Sequence, residues 1–320
     1  MRCGADRKQH HPGGALFGSA PSRAMVGIAS PAGVSIATMT AQPTNARSYD
    51  AEPFGTFAPS PPLRSIIAMT RSLPEAWLAK RVALALRNIG LRSLDGKPVD
   101  VDTLGVRMRL VPYNNVCEKR VLFTPQYFDP QEREILASRL KGDCTFIDIG
   151  ANVGAYSLFA ASQAGPRARI IAIEPQPDIF ERLVTNIRFN PFGTIKAIAC
   201  ALADKPGELT LFLDYKNRGE SSVRIVGSDH ATTVRVPAMT LLDLLLEEGF
   251  ERVDAAKLDV EGAEDLILEP FLEQAPEALF PKLLIVEDGT GRWQTDLPKL
   301  LVEKGYRYVT RTRLNFVFER

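Results

Sequence analysis

The sequence predicts an open α/β sheet with parallel strands and helices on both faces, and three observations predict it. From Cys144 onward, short apolar runs alternate with amphipathic stretches, as parallel strands joined by crossover helices do. The run Phe146-Ile147-Asp148-Ile149 turns through Gly150 and Gly154, after which Tyr156, Phe159 and Ala160 fall at helical spacing. The chain finishes in two short runs, Tyr306 to Thr310 and Asn315 to Phe318, which read as an antiparallel pair around Arg311 to Leu314. That pair is unlike a plain nucleotide-binding sheet.

Composition narrows the class. A length of 320 residues allows one or two domains, and 45% hydrophobic with 24% charged residues is ordinary for a globular protein. A net charge of +1 argues against a nucleic-acid partner or an anionic membrane held by bulk electrostatics, while leaving room for local patches. Cys3, Cys117, Cys144 and Cys200 show no C-x-x-C spacing, so neither a zinc site nor a disulfide framework is expected and a cytoplasmic setting is. Three histidines, His10, His11 and His230, supply histidine chemistry poorly.

Taken in order, residues 1–62 are rich in Ala, Pro, Ser and Gly without a period and read as a disordered tail. The uncharged stretch Ala24 to Ala41 is broken by Gly27, Pro31 and Gly33, which argues against a secretion signal or a membrane span. Residues 63–141 read as an N-terminal helix and cap strands. Ser72-Leu73-Pro74-Glu75 resembles a capping box for a helix carrying Trp77, Leu78, Val82, Leu84 and Leu86, with Lys80, Arg81 and Arg87 interleaved on a solvated face. Val106 to Val111 and Arg120 to Phe123 read as strands, and a short helix starts at Gln131.

Residues 142–320 form the main domain. Its strands are expected at Cys144 to Ile149, Arg169 to Ile173, Thr194 to Ala201, Ala255 to Val260 and Lys282 to Val286. Glu208 to Leu213 and Ser222 to Val226 are shorter strands of an inserted hairpin. Pro177 opens a helix with Ile179, Phe180, Leu183, Val184 and Ile187 on its core face. Thr240 caps a helix Leu241 to Leu246, another runs Ala263 to Leu272, and one over Leu297 to Lys304 ends at Gly305.

The glycine turn carries the first chemical signal. A strand that turns through glycines into a helix gathers backbone N–H groups and a positive dipole end, an anion-binding nest that a ligand can approach closely. Asp148 would repel a bare phosphate there, so the ligand should carry positive charge as well. S-adenosylmethionine (SAM), with a carboxylate, an ammonium and a sulfonium, fits. Glu174 lies 24 positions after Gly150 at a strand end, where an acid binds both ribose hydroxyls of an adenosine cofactor. Asp259 and Glu261 end the fourth strand facing the same cleft, placed for substrate positioning or proton removal. Together with Glu264 they could also bind a divalent cation through oxygen ligands. No metal is assigned, and Glu264 reads as a favourable acid at a helix N-terminus.

These residues resemble the FkbM-type SAM-dependent methyltransferases over about residues 120–319. The marks are Phe146 to Gly154, Ile173-Glu174-Pro175, Asn186 and Asn190, Ala201 to Gly207, Gly219-Glu220-Ser221-Ser222 and, most specific, Lys257-Leu258-Asp259-Val260-Glu261-Gly262-Ala263-Glu264. The resemblance implies a Rossmann-like, seven-stranded methyltransferase sheet that binds SAM and methylates a hydroxyl on a sugar, polyketide or related metabolite. On that reading Asp148, Gly150, Asn152 and Gly154 hold the methionine part, Glu174 the ribose, and Asp204 after Ala203 flanks the adenine. Asp259 and Glu261 are the candidate catalytic residues, and the acceptor is a small molecule or glycan. An NAD(P)-dependent oxidoreductase would share the loop and Glu174, but Asn152 stands where the dinucleotide fingerprint has its second glycine. A non-catalytic SAM-binding protein is the other alternative.

Overall fold

The computed structural model describes residues 49–213, 221–222 and 232–320. Helices α1 (Pro61–Ser72) and α2 (Trp77–Ser93) lead into a hairpin of β1 (Val99–Thr103) and β2 (Val106–Leu110), then α3 (Val116–Phe123) and α4 (Pro130–Arg139). The main domain follows as β3 (Thr145–Ile149), α5 (Ala155–Gln163), β4 (Arg169–Ile173), α6 (Pro177–Arg188), β5 (Ile195–Ile198), β6 (Ala201–Leu202), β7 (Gly207–Leu213), β8 (Ser221–Ser222) and β9 (Thr232–Met239). It continues with α7 (Leu241–Glu247), β10 (Ala255–Leu258), α8 (Glu264–Gln274), β11 (Leu283–Glu287), α9 (Leu297–Glu303), β12 (Arg307–Arg311) and β13 (Asn315–Glu319).

Seven strands make the central sheet in the order β12-β13-β11-β10-β3-β4-β5. The five from β11 to β5 run parallel, and β13 pairs antiparallel with both β11 and β12. The fold is therefore the expected α/β sheet with its C-terminal antiparallel pair. Alternation divides the strands between two cores. Ile147, Ile149, Ile171 and Ile173 pack with the Leu241, Leu244, Ile267, Leu268 and Leu297 side, whereas Phe146, Ile170, Ala172 and Ile285 pack with Leu158, Ile179 and Leu183. A second sheet, β6-β9-β7-β8, stands beside the first. Strand β9 was absent from the sequence reading, and most of the strand expected at Ser222 to Val226 lies outside the described residues. No described helix is long and apolar enough to cross a membrane.

The cap departs from expectation at three places. Arg120 to Phe123 is helical, because the Asn115 side chain caps α3 by accepting from the Glu118 amide. Three consecutive buried residues, Val121, Leu122 and Phe123, look like a strand only in isolation. The partner of β2 is β1, joined through Leu104 and Gly105, both at positive φ as a two-residue hairpin turn requires. Ser72 closes α1 instead of capping the next helix: its hydroxyl donates to the Met69 carbonyl, and Leu73 before Pro74 is extended.

The tail boundary also moves. The Arg109 side chain, buried on β2, pairs with Asp100 at 2.7 Å and donates to the carbonyls of Glu52 at 2.9 Å and Pro53 at 2.8 Å. Gly55 and Phe57 donate their amides to the same Asp100 carboxylate. Residues 49–57 are thus strapped to the β1–β2 hairpin, and residues 1–48 lie outside the described residues. Removing the guanidinium leaves a buried carboxylate unpaired and frees the strap. Arg109→Met should lower the unfolding free energy by about 3–5 kcal/mol, measured by urea denaturation. A change within about 0.5 kcal/mol would show that the strap contributes nothing to the fold.

Candidate active site

The C-terminal ends of the parallel strands open onto a cavity of about 320 Å³. Its floor is the turn after β3. Gly150 takes φ +79°, and a Cβ there would collide with the Asp259 carbonyl, so the loop can lie against β10 only through glycine. Asn152 sits at φ +51°, a left-handed position that asparagine tolerates. Gly154, at φ +90°, does not line the cavity; a side chain there would strike Leu183, so its role is packing against α6.

The amides of this turn are already committed. Gly150 and Ala151 donate to the Ile173 carbonyl at 3.0 and 2.9 Å, and Gly154 donates to Ala151. Asn152 donates to Glu174 Oε2 at 2.9 Å, and Val153 to the Asn152 side chain at 2.9 Å. The anion nest expected at residues 150–154 is therefore not formed. The first three amides stitch the turn to β4 and Glu174, those of Val153 and Gly154 close it on itself, and the ligand-facing groups are side chains.

Asp148, 1% exposed, is one of them. It accepts from the Ser157 hydroxyl on α5, and its Oδ1 is buried without a partner. Glu174 leaves β4 on the same face of the sheet and accepts from the amides of Asn152 and Gln176, both at 2.9 Å. Burial pushes its carboxyl up to about 7, outweighing the two backbone hydrogen bonds that favour the charged form. Asp204 is exposed and does not line the cavity. After β5 the chain crosses to the small sheet, so Cys200, Ala201 and Leu202 form that wall, joined by Leu211. Asp204 falls in the turn beyond it.

The opposite wall is acidic. In register, Lys257 on β10 lies beside Asp148 on β3. Its ammonium is 2.7 Å from Asp259 Oδ2 and 4.7 Å over the Tyr156 ring. Burial works against this charge, but the Asp259 and Asp148 carboxylates outweigh it and raise the Lys257 pKa. The Asp259 side chain is 39% accessible against 4% for Lys257, so the acid meets the cavity and the ammonium anchors it from below. Glu261, at φ +57°, and Gly262, at +93°, make the next turn. Glu264 lies beneath that turn, accepting from the amides of Val260 and Gly262 and from the Trp293 indole at 2.7 Å. It is a structural staple, in agreement with its reading as a helix-terminal acid.

Glu287 was missed by the sequence reading. Carboxylate oxygens of Asp259, Glu261 and Glu287 lie within 4.8 Å of one another, close enough to share one cation. The cations that the chain itself supplies there are Lys257 and Arg292, the latter 3.5 Å from Glu261 and 3.4 Å from Glu287. Burial, then repulsion from Asp259 and Glu264, lifts the Glu287 carboxyl to about 7. The rule that flagged Glu174, an acid ending a buried parallel strand, would have found it. The cap contributes a roof that could not be foreseen: Asn115, whose amide donates to Asn152 at 2.8 Å, and Arg120, which pairs with Asp129 at 2.7 Å. Tyr156 donates its hydroxyl to the same Asp129. Arg313 and Leu314, between β12 and β13, also line the cavity.

The Glu174 environment has a consequence for stability. A carboxyl raised in the folded state favours folding while it is protonated, so its contribution is full below about 4.3 and is lost as pH rises through about 7. In ligand-free protein the melting temperature should decline between pH 5 and 7.5 by several degrees. Glu174→Gln, always neutral, should flatten that decline, as read by calorimetry. An identical slope in both proteins would show that the carboxyl is not held near 7.

Several known proteins are similar to this chain. The family model described as Methyltransferase FkbM domain matches residues 148–308, from Asp148 to β12. The chain is 31% identical over 196 residues to methyltransferase sdnD of Sordaria araneosa, covering 52% of this chain and 74% of that protein. It is 26% identical over 170 residues to hexuronic acid methyltransferase AglP of Haloferax volcanii, covering 53% of this chain and 66% of that one. Among solved structures, the METTL16 MTase domain aligns with 74% of this chain and 79% of its own at 16% identity and a TM-score of 0.43. The chain belongs to the FkbM methyltransferase domain family.

Proposed function

We propose that the chain is a SAM-dependent O-methyltransferase acting on a hydroxyl of a sugar, a polysaccharide precursor or a polyketide-like metabolite. The observation that carries this reading is one cavity with two unlike ends. At one end are Glu174 and the partnerless Asp148 oxygen; at the other is the Asp259, Glu261 and Glu287 cluster. The first end fits the cofactor. Asp148 Oδ1 is a buried acceptor in need of a donor, which the amino-acid end of SAM carries. Each Glu174 oxygen accepts one backbone bond and keeps a further lone pair for a ribose hydroxyl. A pyrophosphate, by contrast, would find the amides of residues 150–154 occupied and Asp148 repelling it. That disfavours the oxidoreductase alternative.

When bound, SAM supplies a methyl carbon already activated by the sulfonium. The chain's part is to hold the acceptor oxygen in line at roughly 3–3.5 Å and to take its proton. Asp259 is positioned by Lys257 and orients the hydroxyl, with Glu261 beside it. Glu287, held near 7, has the basicity best matched to removing a proton at neutral pH. The name of AglP supports a sugar acid as acceptor, and that of sdnD supports methyl transfer in general. The free thiols Cys117, Cys144 and Cys200 support a reducing, cytoplasmic setting, and the near-neutral charge supports acceptors other than nucleic acid.

SAM and S-adenosylhomocysteine should raise the melting temperature of the purified protein while NAD, NADP and ATP leave it unchanged. Glu174→Ala should weaken SAM at least tenfold by calorimetry, since a hydrogen bond to a charged group contributes about 1.5–3 kcal/mol. Stabilisation by NADP alone would overturn the proposal. Asp259→Asn should keep SAM affinity within a few-fold while lowering turnover by about 10²-fold, followed by label transfer from SAM to extract metabolites. Glu287→Gln should abolish the rise of kcat/KM with an apparent pKa of about 7. Label transfer at the wild-type rate in Asp259→Asn would remove that acid from the chemistry.

A further inference from the structure

Helix α2 carries two apolar faces. One is used: Ala83 and Gly90 are buried, and Gly90 lies so close to the Phe123 ring that a side chain there would overlap it. The other looks outward. Leu78, Val82, Ala85 and Ile89, spaced i, i+4, i+7 and i+11, form one stripe along the solvent side. Leu78 is 66% exposed, Ile89 55% and Trp77, at the head of the helix, 70%. Arg81, Asn88 and Arg92 run alongside, all exposed. Between residues 61 and 93 the cations are Arg64, Arg71, Lys80, Arg81, Arg87 and Arg92, and the acid is Glu75, which pairs with Lys80 at 2.8 Å. A chain of net charge +1 thus concentrates positive charge on one helix pair beside exposed aliphatic and aromatic side chains.

We propose that the outer face of α2 docks on an anionic lipid surface, lying in the interface with Leu78, Val82 and Ile89 inserted and with Arg81, Arg92 and the Trp77 ring that stacks on Arg81 at the headgroups. Apolar side chains on one face, basic residues beside them and no acid within the helix are the chemistry of an interfacial helix. Tryptophan is favoured at headgroup depth, and each Lys or Arg near an anionic bilayer adds attraction. Charge argues against the other occupants. A second copy packed antiparallel across a two-fold axis would set Arg81 near the copy's Arg92 and Arg92 near its Arg81, with no acid on the helix to compensate. The segment 1–48 carries Arg2, Arg7, Lys8, Arg23 and Arg47 against Asp6, so it is basic as well and does not complement this face. The inference is independent of the reaction proposed above.

Sedimentation of the full chain with vesicles tests it. The protein should pellet with vesicles of phosphatidylcholine and phosphatidylglycerol in equal parts, not with phosphatidylcholine alone. Binding should weaken at least tenfold as salt rises from about 0.05 to 0.5 M, where screening shortens from roughly 14 to 4 Å. The triple variant L78D/V82D/I89D changes exposed positions only, and its melting curve should match wild type while vesicle binding falls at least tenfold. Arg81→Gln with Arg92→Gln should lose several-fold and flatten the salt dependence. Failure to pellet, equal binding to both vesicle types, or an unaffected triple variant overturns the proposal. So does a concentration-dependent dimer, seen by light scattering, that the triple variant abolishes, because the face would then belong to a second copy. Equally tight binding of soluble poly-glutamate would point to an acidic protein partner and likewise overturn it.

Discussion

A buried ammonium governs how the site is put together. Lys257 is 3% exposed, lies in register with Asp148 on the neighbouring strand and holds Asp259 at 2.7 Å. Burying a charge without partners is prohibitive, and removing one member of a buried pair costs several kcal/mol. Strands β3 and β10 must therefore keep their register, because a slip of β3 by one residue would turn Asp148 into the opposite core and set an isoleucine beside Lys257 in its place. The same ammonium lies over the Tyr156 ring on α5, and Tyr156 reaches Asp129 in the cap. One charge thus ties the Asp148 end, the acidic end and the roof to a single arrangement.

The central sheet was legible because its signals are local. Buried parallel strands read as short β-branched runs, and β4, from Arg169 to Ile173, was placed to the residue. The Thr240 cap and Gly305 stop were legible for the same reason: each acts within a turn of its own helix. What failed depended on distant partners. Arg120 to Phe123 shows a strand-like apolar run, and only the Asn115 cap and packing under α1 decide for helix. Residues 49–57 have the composition of a tail but are held by Arg109 and Asp100, through bonds that span 43 to 57 positions. Asp204 was placed by its position after a strand, which holds only while the chain stays in one sheet; β6 belongs to another. The amide nest was inferred from glycine content, yet Ile173, Glu174 and the turn's own Ala151 and Asn152 consume those donors. Sequence spacing does not reveal whether a donor is already taken.

Counting charge across the cavity gives its last constraint. Asp259, Glu261 and Glu287 converge within 4.8 Å, and Lys257 and Arg292 are the cations in contact with them. Asp148 and Glu174 add two further carboxyls on the same face of the sheet. Arg313 is a further cation on the lining and Arg120 and Asp129 pair off, which leaves the surplus negative; burial, with this charge behind it, lifts Glu174 and Glu287 to about 7, where they share protons with solvent near neutrality. A ligand bearing positive charge relieves that repulsion and is favoured over a pyrophosphate, which would add to it. The two raised carboxyls lie at opposite ends of the cavity, and Asp259 bears on both. Burial is the largest cause for both; beyond it, the Gln176 and Asn152 amides temper the rise at Glu174, while Asp259 and Glu264 add to it at Glu287. On the proposed reading, affinity for the cofactor and readiness to take a proton rest on different residues, at the ends of β4 and β11.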